Sequence, residues 1–171
     1  NSADTANTTE SNNYVTANLS SATNIDFVRG GSTTNLTVQW QAVTFDSGVN
    51  VYKDSFSFAS GQTLTDSNIA GSSATVDPAR TWLYFTHNDA APSNTLQASE
   101  CAGQLDAGGS SVTFTRYANN TYTNDIVYNL VEFPSGVSVT RNAGATVNFQ
   151  MGGSNNADVT IPAVDLNKSF A

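Results

Sequence analysis

Each of the six basic residues in this 171-residue chain has a partner about 87 positions away. Arg29 and Arg116 lie 87 apart (116 − 29), Lys53 and Arg141 lie 88 apart (141 − 53), and so do Arg80 and Lys168 (168 − 80). No Lys or Arg is left over. A fixed period of this kind points to internal duplication, which constrains the fold more than any single motif does. The surrounding words agree. Val38–Val51 aligns with Ile126–Val139 at an offset of 88, with Val43, Phe45, Ser47, Gly48, Val49 and Val51 identical to their counterparts and Trp40 opposite Tyr128. Ile25–Arg29 matches Val112–Arg116 at 87, Leu19 matches Leu105 at 86, and Val76-Asp77 matches Val164-Asp165 at 88. The stretch from Asp54 to Thr75 matches poorly and reads as loops and edges.

Two repeats of about 86–88 residues follow, with the chain cut inside one of them. Val76-Asp77 runs on into the apolar word Arg80–His87, whereas Val164-Asp165 runs into Lys168-Ser169-Phe170-Ala171 and stops. The expected division is a polar N-terminal arm over residues 1–13, a first β-repeat over 14–98 and a second over 99–171. The second would be completed by the arm of the same or a neighbouring chain.

The repeat reads as β-structure. Leu36, Val38, Trp40 and Ala42 alternate with polar residues, as do Ile126, Tyr128 and Leu130. That is the period of a strand with one buried face. Val43, Phe45, Val131 and Phe133 then switch parity, which suggests a bulge or corner. Ser47-Gly48 and Ser135-Gly136 read as hairpin-type turns, with return strands at Val49–Tyr52 and Val137–Arg141. Further strands are expected at Tyr14–Leu19, Ile25–Arg29, Phe56–Ala59, Ala74–Val76, Arg80–His87, Ser111–Tyr117, Ala145–Gln150 and Ala157–Ile161. No stretch has helical periodicity. The expected fold is all-β: an internally duplicated, β-sandwich or jelly-roll-like architecture.

Composition narrows the partners. The net charge of −8 and pI near 4.2 disfavour nucleic acid and anionic lipid surfaces. No apolar run reaches the roughly 20 residues of a membrane-spanning helix. One cysteine, Cys101, allows no intrachain disulfide. It reads as a small half-buried residue, and the lone histidine, His87, has no orienting partner in the pattern. No phosphate loop, His/Cys metal cluster or nucleophile-base pair stands out, so no catalytic residue, metal site or cofactor is expected. Asp26, Asp46, Asp77, Glu132 and Asp165 read as solvated carboxylates. The oxygen-rich words Asn124-Asp125 and Asn155–Asp158 read as ordinary turn chemistry rather than calcium ligands. The Asp77/Arg80 and Asp165/Lys168 pairs read as local ion pairs, and basic residues at strand ends as protection of sheet edges.

The severed strand carries the functional expectation. A sandwich short of part of a strand exposes backbone groups and an apolar groove, and an added strand relieves both. Supplied by the next subunit, that strand makes a head-to-tail contact, and such contacts build open fibres when no ring closes. The expected assembly residues are Ser2, Thr5, Thr8 and Thr9 of the arm, with Lys168, Ser169, Phe170 and Ala171 at the severed end. Identical copies of the chain are the expected partner. The alternative is a glycan-binding adhesin or phage-fibre module, with Tyr117 and Tyr122 as an aromatic platform for surface glycans. A glycoside-acting enzyme ranks third.

The words Val127–Val139 and Val164–Phe170 resemble tandem β-repeats of large prokaryotic extracellular surface and phage-associated proteins. The likeness covers most of the chain, twice. It implies a secreted, extracellular structural repeat at the cell surface, such as a subunit of a pilus-like filament or surface layer, and it transfers no catalytic residue.

Overall fold

The computed structural model describes residues 14–31, 35–69, 75–89, 100–116, 122–141, 162–165 and 167–169. It is almost entirely β, as expected. The strands are β1 (Val15–Ser21), β2 (Asn24–Arg29), β3 (Asn50–Phe58), β4 (Leu64–Asn68), β5 (Thr81–Asp89), β6 (Cys101–Leu105), β7 (Ser111–Arg116) and β8 (Asn124–Glu132), with one 3-10 turn at Pro78–Arg80.

Two three-stranded antiparallel sheets, ordered β3-β8-β5 and β4-β7-β6, face each other. The apolar alternation of β8 places Ile126, Tyr128 and Leu130 on its inner face, where they join Phe58, Leu105, Val112, Phe114, Ile69 and Val76 in one buried cluster. Phe114 bridges the layers, its ring 4.9 Å from Phe56, 5.2 Å from Phe85 and 5.5 Å from Tyr128. Offset and edge-on ring geometries of this kind add to the gain from apolar burial. Gly103 makes room for that ring: a Cβ there would lie 2.7 Å from Phe114. Gly109, at φ +70°, holds the β6–β7 loop against Val76, whose N–H donates to the Gly109 carbonyl at 2.9 Å. Glycine adopts such a φ without the steric cost that a Cβ brings.

This closed sandwich runs from β3 to β8 and spans the boundary expected near residue 98. β3, β4 and β5 come from the first repeat, and β6, β7 and β8 from the second. β8 fills the centre of its sheet because it is apolar on both faces: Val131 is buried on the side opposite Tyr128. The parity switch at Val131 is therefore no bulge, since β8 pairs without interruption from Asn124 to Glu132 with both neighbours.

The β1–β2 hairpin lies outside the sandwich, beside β5. The Ala17 N–H donates to Thr86 Oγ1 at 3.0 Å and Asn88 Nδ2 to the Val28 carbonyl at 3.4 Å. Tyr14 stacks on His87 at 4.6 Å and donates its hydroxyl to Glu100 at 2.6 Å.

Several expectations are corrected. Leu36–Ala42 is irregular apart from a bridge at Val38, and Trp40 is 61% exposed rather than in a core. Val137–Arg141 forms no strand, so Ser135-Gly136 is a turn and no hairpin; the return strand expected at Val49–Tyr52 does form, within β3, but no strand precedes the bend at Ser47-Gly48. The sequence word alone does not bury a strand: β8 pairs along its whole length with β3 and β5, whereas Leu36–Ala42 makes a single bridge, at Val38. Of the strand expected at Ala74–Val76, the described residues Thr75 and Val76 are not strand and lead into the 3-10 turn. Phe56–Ala59 joins the preceding strand in β3 as far as Phe58, while β4 and β6 form where no strand was expected. The strands expected at Ala145–Gln150 and Ala157–Ile161 lie outside the described residues.

Candidate assembly site

The Asp77–Arg80 turn and the Asp165–Lys168 turn share one local geometry, built by an aspartate that caps its own backbone. Asp77 Oδ1 accepts from the Ala79 N–H at 2.9 Å, and Asp165 Oδ1 accepts from the Asn167 N–H at 2.9 Å. The Arg80 N–H reaches the Asp77 carbonyl at 3.0 Å, and the Lys168 N–H reaches the Asp165 carbonyl at 2.9 Å. Both expected ion pairs are present, at 2.8 Å for Arg80–Asp77 and 3.8 Å for Lys168–Asp165. Arg80 and the capping backbone N–H hold the Asp77 carboxyl below its ordinary pKa.

The surroundings of the two turns differ. The first turn closes one end of the sandwich. Arg80 Nη1 donates to the Phe133 carbonyl at 2.7 Å, the Phe133 N–H donates to the Arg80 carbonyl at 3.0 Å, and the Asp77 N–H donates to Glu132 Oε1 at 2.8 Å. Glu132 is thus bound in place, not solvated, and it also accepts from Asn50 and Tyr52. At the second turn, Lys168 and Ser169 are exposed.

The same contrast runs along the chain. Leu105, Phe114, Tyr128, Val131 and Val76 are each at most 5% exposed, while their counterparts Leu19, Phe27, Trp40, Val43 and Val164 are 38–71% exposed. In each pair one core-type position is sealed inside the sandwich and its sequence counterpart is open.

The Arg29/Arg116 twins separate in the same way. Arg116 is no guard of a sheet edge: it is buried and binds loops from inside. Its Nε donates to the Gln62 carbonyl at 2.6 Å, Nη2 to the Ala59 carbonyl at 3.0 Å, and Nη1 to the Tyr122 carbonyl at 3.0 Å and Asn124 Oδ1 at 3.2 Å. The guanidinium also lies 5.0 Å over the Phe58 ring. Arg29 holds the matching place at the end of β2, and its Nη1 is buried with no hydrogen-bond partner. Composition gave no sign of this role for Arg116. The twinning marked the residue but not its neighbours.

Of the other expected site residues, Ser2, Thr5, Thr8, Thr9, Tyr117, Phe170 and Ala171 lie outside the described residues. Tyr122 is half-buried, and its carbonyl is tied to Arg116. Asn124, expected in a surface turn, is buried on β8 and donates to Cys101 Sγ at 3.6 Å. Burial pushes the Cys101 thiol up to about 11 and holds His87 below its ordinary value. A thiol so placed is a poor nucleophile near neutral pH. Among the described residues, no three His, Cys, Asp or Glu side chains gather as a metal site, and no helix is long and apolar enough to cross a membrane.

Compared with protein-family models, curated proteins and solved structures, the chain matches none of them.

Proposed function

We propose that this protein is a structural subunit that assembles with copies of itself into an extracellular fibre or surface layer by β-strand complementation between subunits. The observation that carries this reading is Trp40. It occupies the position of Tyr128, the buried centre of β8, in a word that repeats the β8 sequence, yet it is 61% exposed. Leaving several core-type side chains in water forgoes roughly 25 cal/mol for each Å² of apolar surface, a gain that association recovers. The acidic, lysine-poor surface suits an extracellular scaffold and repels polyanions. Work of this kind is done by shape and strand pairing rather than by bond chemistry.

Negative-stain electron microscopy of the purified protein, with and without residues 1–13, tests the reading. Filaments or sheets are expected from the intact chain and their loss from the truncated one. Dispersed monomers in both samples would contradict it.

A further inference from the structure

The outer face of the β3-β8-β5 sheet presents aromatic and polar side chains that the proposed assembly does not use. Phe56, Phe85 and Tyr128 point into the core, so the alternate residues of β3, β5 and β8 face outward. The register sets these in rows across the three strands: Val51, Val131 and Trp82 in one row, Lys53, Asn129 and Tyr84 in the next. Val131 is buried, while Val51 is 42% exposed, Tyr84 is 47% exposed and Lys53 is open to solvent. The Trp82 and Tyr84 rings stand side by side, 5.8 Å between centroids and inclined by 52°. The β1–β2 hairpin binds Thr86 and Asn88 further along β5 and bounds the patch at that end. Among the described residues, no hydrogen bond or ion pair engages the side chains of Tyr84, Asn129 or Lys53. Arg80, Arg116 and Lys168, in contrast, are held by protein oxygens.

We infer that this face binds a saccharide carrying a carboxylate, with the sugar ring stacked on Tyr84 beside Trp82, a hydroxyl bonded to Asn129 and the carboxylate paired with Lys53. The face of an aromatic ring is its negative side, and the C–H groups on one face of a pyranose are apolar and weakly positive, so the two stack without the loss of a hydrogen bond. The hydroxyls at the sugar edge then meet Asn129, whose amide offers two donors and an acceptor. Tyr84 and Lys53 stand two strand spacings apart, about 10 Å. A sugar ring and its carboxylate span that distance once the flexible lysine leans inward. Charge selects the class of saccharide. In a chain of net charge −8, Lys53 is the one positive point on this sheet face. The other charged side chain there, Asp125, accepts a hydrogen bond from Ser57. The net charge disfavours a polyanion, and one lysine suits one carboxylate in an otherwise neutral glycan. A proline-rich peptide also lies on aromatic rings, but its backbone brings no anion to Lys53.

This inference does not depend on the self-assembly reading and stands or falls separately. The test is an array of neutral, singly acidic and polyanionic oligosaccharides, with a proline-rich peptide alongside, probed with the wild-type protein and the variants Tyr84→Thr and Lys53→Gln. Both positions are exposed, and threonine suits a strand, so each variant is expected to keep the wild-type circular dichroism spectrum and melting temperature. The wild type should retain glycans with a single carboxylate above the neutral and polyanionic ones. Isothermal titration calorimetry with the best-retained glycan should show Tyr84→Thr binding about tenfold more weakly or worse, from the lost ring contact. Lys53→Gln should bind it several-fold more weakly and lose the salt dependence of the wild type, as expected of an exposed charge pair. No saccharide retained by the wild type, or retention unchanged in Tyr84→Thr, overturns the site. Equal binding of neutral and singly acidic glycans, unaffected by Lys53→Gln, overturns the pairing of a carboxylate with Lys53. Retention of the peptide alone, lost in Tyr84→Thr, overturns the saccharide and assigns the face to peptides.

Discussion

Arg29 and Arg116 have the same sequence surroundings and opposite circumstances. Arg116 satisfies three backbone carbonyls and an amide oxygen from inside the sandwich, while Arg29 leaves a buried nitrogen unpaired. Removing a group that satisfies buried carbonyls leaves them desolvated, at about 1–3 kcal/mol each. Arg116→Ala is therefore expected to lower unfolding stability by about 3 kcal/mol or more. Arg29→Ala should change it by less than about 0.5 kcal/mol in dilute solution. Urea denaturation of the two variants checks the difference; equal losses would contradict the placing of Arg116, and not Arg29, inside the closed sandwich. The sequence made the twinning of these residues legible, because rare charges stand out in a chain that is 12% charged. It could not reveal the burial of Arg116, since the acceptors are backbone carbonyls, which no side-chain pattern records.

At the scale of elements, β8 and Leu36–Phe45 show what patterning decides and what it leaves open. Both alternate, and both switch parity at a valine. Only β8 has neighbours on two sides, and pairing rather than period determines which copy becomes a strand. β1 and β2 were visible in the Tyr14–Leu19 and Ile25–Arg29 words, β7 in Ser111–Tyr117, and β5 in the long apolar run from Arg80. β4 and β6 were missed for a physical reason. Leu64–Asn68 is short and mostly polar, Cys101–Leu105 is short and built largely of small residues, and both are strands because β7 lies between them and pairs with both. The candidate site was half legible: the exposed Lys168 and Ser169 were expected, whereas Trp40, Val43 and Phe27 were not, since apolar alternation ordinarily signals burial. Truncation of the two aromatic counterparts should therefore diverge. Tyr128→Ala should cost about 3–5 kcal/mol, as for a large buried ring, and Trp40→Ala less than about 1 kcal/mol at low concentration. Thermal or urea unfolding of both variants measures the difference.

At the scale of the whole molecule, the described residues form one closed sandwich, with the β1–β2 hairpin, residues 36–45 and residues 162–165 outside its sheets and several of their apolar side chains exposed. The sandwich accounts for stability, and the proposed association would draw on the exposed pieces. The most direct test is amide hydrogen exchange of the intact chain at low and high concentration. β8 amides should be protected at both, and those of residues 36–45 should exchange freely when dilute and become protected as concentration rises. Protection of residues 36–45 equal to that of β8 in dilute solution, or free exchange at every concentration, would contradict the account.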